Sequence, residues 1–262
     1  SSAEEAISAA HALGYPLMIR PSFVLGGRAM RVIHSDAELT EYMQTSVSVS
    51  HNRPVLLDHY LHNAIEVDVD AVSDGKDVVI AGVMEHIERA GIHSGDSSCS
   101  LPPQSLTSEV LSQLEEQARL LARELKVIGL MNIQFAVTRE QEVYILEVNP
   151  RASRTVPFVS KVTGIQWAKV AVKLMLGKTI KELGVRDSRF ASLADGGYVA
   201  IKSPVFPFKK FAGTDTVLGP EMKSTGEVMG MNCSFGGAFA RAQLGAGNRL
   251  PIAGAAFVSV TD

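Results

Sequence analysis

The segment MNIQFAV, residues 131–137, is followed after a short polar stretch by VYILEVNPR, residues 143–151. Both read as strands, rich in β-branched and aromatic residues. A turn centred between Glu140 and Gln141 pairs them antiparallel and sets Gln134 directly across from Glu147. Glu147 and Asn149 are two apart on one strand, so they point to the same face. Gln134, Glu147 and Asn149 thus bring hard oxygen donors to one spot, the kind that Mg²⁺ or Mn²⁺ takes when substrate phosphates also hold the ion. A carboxylate bridging two such ions at the β- and γ-phosphates of a nucleotide would serve phosphoryl transfer. The same spacing also describes a solvent-facing polar row on an edge hairpin. Arg151 and Arg154 follow, three residues apart. On a helical turn they would share a face and grip an anionic substrate with bidentate hydrogen bonds; otherwise they are two solvated surface cations.

Other candidates stand nearer the N-terminus. Arg20, at a strand end, can reach a phosphate, and Gly26-Gly27 in the loop 22–29 would let backbone approach one or let the loop move as a lid. Glu66, Asp68 and Asp70 alternate with Val67, Val69 and Ala71. Such a row is expected to be a solvated face, one member of which could hold the hydroxyls of a ribose. The polar, Gly- and Ser-rich stretch 91–103 has no periodicity and reads as a loop long enough to be functional. No GxxxxGK[ST] and no GxGxxG is present, so P-loop and dinucleotide fingerprints are missing. No Ser/His/Asp or Cys/His grouping supports a protein nucleophile.

These side chains need a scaffold, and the pattern supplies one. Helices are expected over residues 6–13, closed by Gly14, over 36–44 behind a Ser35/Glu38 capping box, over 108–126, over 166–176 and near 238–244. Strands are expected at 15–19, ending where Pro21 stops pairing, and at 30–33, 55–58, 66–72, 77–84, 131–137 and 142–147. Helices and strands alternate without a βαβ rhythm, which predicts an α+β fold with mixed or antiparallel sheets. The formal net charge of −3 and the absence of a basic face argue against nucleic acid as a partner. No apolar run approaches the ~20 residues of a membrane helix. Two widely spaced cysteines, Cys99 and Cys233, suggest neither zinc nor a disulfide framework and suit a cytoplasmic protein.

Taken together, RPSFVLGGRAM (20–30), LLDHY (56–60), EVDVD (66–70), MEHIERAGIHSGDSSCSLP (84–102), MNIQFAV (131–137), EVNPRASRTVPFVSK (147–161) and GPEMKSTGEVMG (219–230) resemble the ATP-grasp fold. The resemblance is to the large subunit of carbamoyl-phosphate synthetase, and Arg28, EVNPRASRT and GPEMKSTGEVMG look like its second, carbamate-phosphorylating half. It implies two α+β lobes holding ATP between them: a smaller lobe over 1–60, a larger one over 61–245, and a linker with the first strand of a further domain over 246–262. It implies that Arg20 contacts phosphate, that Asp58, His59 and Leu61 line the adenine site, and that Glu66 takes the ribose. By the same resemblance Gly91, Ile92, His93 and Ser94 cover the nucleotide, Gln134, Glu147 and Asn149 hold Mg²⁺ or Mn²⁺, two ions in all, and Arg151 and Arg154 bind the anionic substrate. The expected partners are the remainder of the large subunit and a glutamine amidotransferase small subunit. The chain reads as an internal piece of a longer protein, inactive by itself in the full reaction. Another carboxylate ligase of the same fold, such as a biotin carboxylase, and a non-catalytic nucleotide-sensing module remain the alternatives.

Overall fold

The computed structural model describes residues 3–21, 30–46, 55–61, 63–188, 197–210, 213, 215–255 and 257. The expected lid loop 22–29 lies outside them, as do residues 256 and 258–262 of the segment expected to carry the first strand of a further domain. Near the N-terminus, α1 (Ala3–Leu13) ends as expected at Gly14, whose φ of 82° is open to glycine. Three antiparallel strands follow in spatial order β2-β1-β3: β1 (Leu17–Pro21), β2 (Arg31–Ile33) and β3 (Val55–His59). Pro21 does not stop the pairing; it stands opposite Val55 at the end of β1, where a missing N–H costs one ladder bond at most. The helix α2 (Asp36–Ser46) packs with α1 on this sheet, and Ala10, Leu17, Ile19, Ile33 and Leu39 form a core with no exposed surface. Its expected capping box is modified: Ser35 Oγ accepts from the Glu38 N–H, but the Glu38 carboxylate reaches the His34 N–H.

The second sheet has seven antiparallel strands in the order β10-β9-β6-β5-β4-β7-β8. They are β4 (Ile65–Asp74), β5 (Val78–Arg89), β6 (Cys99–Leu101), β7 (Ile128–Val137), β8 (Val143–Asn149), β9 (Val199–Val205) and β10 (Gly226–Asn232). The stretch 91–103 is therefore not all loop. Its end supplies β6, which joins β5 to β9; three residues between turns carry too short a pattern to be read.

Each face of this sheet is covered differently, and among the described residues one polar end of it carries no helix. On one face Val67, Val69, Ala71, Ile133, Phe135 and Val137 meet the apolar stripe Val110, Leu114, Ala118 and Ala122 of α3 (Ser108–Glu124). Truncating fully buried Leu114 to alanine would cost about 2–5 kcal/mol. At the β9–β10 edge, α7 (Phe235–Gly245) packs Ala238 and Ala242 on Val199 and Ile201. The opposite face is covered at one end only. There Val72, Ala81, Leu130, Leu101 and Ala200 pack against α4 (Val156–Thr163), α5 (Trp167–Met175) and the short α6 (Ile180–Leu183), with Trp167 wholly buried. Sequence reading missed α4, which Pro157 at its first turn favours. The other end of that face, where β4, β7 and β8 turn polar, carries no helix.

Candidate functional site

Along β4, Val72 lies under the helices while Glu66, Asp68 and Asp70 continue the same face beyond them. Register carries that polarity across three strands. Asp68 stands opposite Gln134 and Gln134 opposite Glu147; Asp70 stands opposite Asn132 and Asn132 opposite Asn149. The expected Gln134–Glu147 pairing is present, but not through the expected turn. The turn places Val137 opposite Val143 and Phe135 opposite Ile145, and a bulge at Leu146 then shifts the register by one residue. Without that extra residue Glu147 would follow Val143 and Ile145 onto the α3 side. Gln134 and Asn149 are half-buried and Glu147 is exposed. Among the described residues no three His, Cys, Asp or Glu side chains are arranged to hold a metal ion. The donor set is one carboxylate with amide oxygens, which fits a hard cation sharing its shell with phosphates rather than a self-sufficient protein cage.

Glu66, Asp68 and Asp70 are not the solvated row expected of them. All three are buried, at 5%, 2% and 1% exposure, with His86 of β5 and Asn132 of β7 beside Asp68 and with Ser153 and Thr155, from the chain after β8, against Asp70. Asp68 accepts from His86 Nε2 at 2.8 Å and from Asn132 Nδ2 at 3.0 Å. Burial alone would raise the Asp68 carboxyl, but these bonds and the charges of His86 and Lys202 outweigh it and hold the carboxyl below its ordinary value. Burial likewise opposes charge on His86, yet the Asp68 bond and the two neighbouring carboxylates raise its pKa. Burial pushes Glu66 up to about 7 and Asp70 up to about 6. Lys202, 2% exposed on β9, faces this cluster and donates to the Ser94 carbonyl at 3.1 Å.

The Arg151–Arg154 stretch is not a helical turn. Residues 150–155 are irregular and α4 begins at Val156, so the two arginines do not share a helix face. Both are exposed. Arg154 lies against the loop after β5: a β-carbon on Gly95 would stand 2.8 Å from Arg154 Nη1 and 2.8 Å from the Met222 sulfur. In that loop His93 Nδ1 accepts from the Gly95 N–H and the His93 N–H binds the Gly219 carbonyl at 2.8 Å. Partial burial, then the Arg154 charge, lowers the His93 pKa. Fully buried Asp96 accepts from the N–H groups of Lys223 and Ser224, which fastens the GPEMKST segment to the same loop.

The remaining candidates come from the smaller sheet. Arg20 is paired with Asp58 at 3.1 Å, both about half-exposed, across β1 and β3. His59 is exposed and ends β3, and Leu61 is half-buried just beyond it. A cavity of about 280 Å³ opens here, lined by Met18, Val32, Tyr60, Gly91, Ile92 and Pro220. It brings the small sheet and the 91–96 loop to one cleft. Reading the sequence did not single out Asp68, Asp70, His86, Asn132 or Lys202 as one buried group. Asn132, two residues before Gln134, carried the only local hint.

Comparison with known proteins agrees with this architecture. Residues 1–183 match the family model described as carbamoyl-phosphate synthase L chain, ATP binding domain. The chain is 58% identical over 259 residues to the carbamoyl phosphate synthase large chain of Neisseria meningitidis serogroup B, and 56% identical over 261 residues to that of Pseudomonas aeruginosa. The alignments cover 99% and 100% of this chain and 24% of each relative, so the chain spans about a quarter of their length. Among solved structures, the biotin carboxylase domain of Hydrogenobacter thermophilus 2-oxoglutarate carboxylase, in complex with MgADP, ADP and bicarbonate, matches with a TM-score of 0.68 at 18% identity. That match covers 87% of this chain and 56% of that one. Campylobacter jejuni biotin carboxylase matches with a TM-score of 0.65 at 18% identity, over 79% and 45%. At that identity the likeness speaks for the α+β ATP-grasp fold alone. The family match and the near-complete coverage by the bacterial large chains establish that this chain belongs to the carbamoyl-phosphate synthase large-chain ATP-binding domain family.

Proposed function

We propose that this chain is the second ATP-grasp half of a carbamoyl-phosphate synthase large chain and transfers the γ-phosphoryl group of ATP to carbamate. The observation that carries the reading is the three-strand layer Asp68–Gln134–Glu147 and Asp70–Asn132–Asn149, with Arg154 nearby against the 91–96 loop. Residues Arg28, EVNPRASRT and GPEMKSTGEVMG favour the second half. The relatives' greater length supports the rest of a large chain as a partner in the intact enzyme, and in this reading a glutamine amidotransferase small subunit is the other. The unbridged cysteines, Cys99 buried and Cys233 exposed, suit a cytoplasmic setting.

In this reading adenine lies beside Asp58, His59 and Leu61, the ribose at Glu66, and Gly91, Ile92, His93 and Ser94 cover the nucleotide. Gln134, Glu147 and Asn149 hold Mg²⁺, or Mn²⁺ in its place, as a pair of ions. Bound there, the metal would neutralise charge on the β- and γ-phosphates and keep the transferring group in line. Arg20 meets the phosphates, while Arg151 and Arg154 orient the carbamate oxygen that attacks phosphorus as the bond to the β-phosphate oxygen breaks. The residues supply position and charge, not a nucleophile.

The direct test is the reverse reaction in the intact large chain: carbamoyl phosphate and ADP should yield ATP in the presence of Mg²⁺. Loss of that reaction, but not of bicarbonate-dependent ATP hydrolysis, is expected when Glu147 is replaced. Loss of the hydrolysis alone would assign the segment to the other half.

A further inference from the structure

Asp70 is 1% exposed, and no contact with nucleotide, metal or substrate has been assigned to it. Its two oxygens are nevertheless fully engaged. Oδ1 accepts from Ser153 Oγ at 2.8 Å and from Asn132 Nδ2 at 3.0 Å, and Oδ2 accepts from Thr155 Oγ1 at 2.6 Å. Ser153 and Thr155 are the residues on either side of Arg154, and their hydroxyls lie 2.7 Å apart. The irregular stretch between β8 and α4 is thus tied on both flanks of Arg154 to the middle of β4, 83 and 85 residues earlier in the chain.

The start of the following helix is consistent with this anchoring. Thr155 is the N-cap of α4, a position where a threonine hydroxyl ordinarily accepts from a backbone N–H of the first turn. Here it makes no such bond: the Thr155 backbone is itself in the right-handed helical region (φ −75°, ψ −19°) rather than extended, and its hydroxyl donates to Asp70. Asp70 also shares Asn132 with Asp68, so one amide links the anchor to the buried layer beneath Gln134.

We infer that Asp70 is the positioning residue for the anionic-substrate arginines, acting through Ser153 and Thr155 to hold Arg154 and, with it, Arg151 in reach of the acceptor. The inference rests on the reading that these arginines bind the substrate. Both hydroxyls donate to Asp70, and both arginines are long, exposed side chains that a free loop would leave in many orientations. Pinning the backbone on both sides removes that freedom before substrate arrives.

The test uses the intact large chain and the synthesis of ATP from carbamoyl phosphate and ADP, with Asp70→Asn, Thr155→Val, Thr155→Ser, Asp70→Asn combined with Thr155→Val, and Arg154→Ala. The proposal expects Thr155→Val to raise KM for carbamoyl phosphate about tenfold or more while KM for ADP changes less than about twofold. Thr155→Ser, which keeps the hydroxyl, should restore most of the loss, and the double variant should be no worse than Asp70→Asn alone. Unchanged kinetics in Thr155→Val, a parallel rise in both KM values, or multiplied effects in the double variant would overturn it. Arg154→Ala separates the two levels. If it leaves KM for carbamoyl phosphate unaltered, the substrate assignment itself fails; if it raises that KM while Thr155→Val does not, only the positioning role of Asp70 fails.

Discussion

Gln134 and Glu147 face each other across β7 and β8 one step beyond a bulge that leaves Phe135 opposite Ile145. That single extra residue lets Val143 and Ile145 stay on the side packed by α3 while Glu147 and Asn149 turn to the opposite face. A bulge beside a site re-aims side chains without a change in the strand's direction. Glu147→Gln keeps the shape and removes the charge, and the exposed position should keep stability within about 0.5 kcal/mol of the original. Phosphoryl transfer in the intact chain should fall roughly 10²-fold or more. Steady-state assays with Mg²⁺, run beside denaturant unfolding, check both halves of this expectation; near-normal turnover would remove Glu147 from the metal site.

Lys202 joins the buried carboxylate cluster to the loop over the cleft, through its bond to the Ser94 carbonyl. Lys202→Met fills a similar volume but removes a buried positive charge that acts on Glu66 and Asp68 beside His86. Breaking a buried ionic arrangement from one side costs about 3–5 kcal/mol. Chemical denaturation should show a loss of that order, and amide exchange at residues 94–96 should speed up. Slow exchange there in a destabilised variant would mean that Asp96 and Gly219 hold the loop without Lys202.

The pH dependence of stability has a definite sign in the metal- and nucleotide-free protein. An unfolded chain releases its carboxyl protons near pH 4, whereas the folded one keeps them to about 6 at Asp70 and about 7 at Glu66. Across that interval the native state binds more protons, so stability falls as pH rises. His86 acts in the same direction, because its raised pKa gives stability that is present at low pH and fades as pH passes the folded value. Asp68 opposes this only at acid pH, where protonation through its lowered value costs stability. Glu66 is faced by His86 from β5, Asp68 from its own strand, Lys202 from β9 and Glu147 from β8. The thermal midpoint should therefore be higher at pH 5.5 than at pH 8, and Glu66→Gln should flatten the difference. A midpoint that climbs toward pH 8 would show that these groups ionise freely in the fold.

Gly230 on β10 is where α7 comes closest to the sheet. A β-carbon there would collide with the Ala238 carbonyl oxygen and the Ala242 backbone nitrogen, and a helix backbone does not yield as a side chain does. Gly230→Ala should cost about 1–3 kcal/mol through displacement of α7. Thermal unfolding measures the loss, and Gly226→Ala, with only the Val205 β-carbon at 3.9 Å, serves as the comparison that should change little.

Local chemistry was enough to settle a good part of this protein from its residues alone. The stripe of α3, the alternation in β4, the two strands around Gln134 and Glu147 and the glycine after α1 are short-range patterns, and each appears where its period or its backbone freedom demands. The motifs themselves were enough to imply the family. What the sequence did not determine depends on neighbours far along the chain. Glu66, Asp68 and Asp70 look like a solvated row because an isolated strand shows only alternation; in the fold they are buried beside His86, Asn132, Ser153 and Thr155, which come from three other segments. Arg151 and Arg154 have helical spacing, yet the hydroxyls beside Arg154 bond to Asp70 and hold the stretch irregular. Spacing records which side chains could share a face. Only tertiary packing decides which of them lose water, and a buried carboxylate must then recruit partners from wherever the fold brings them.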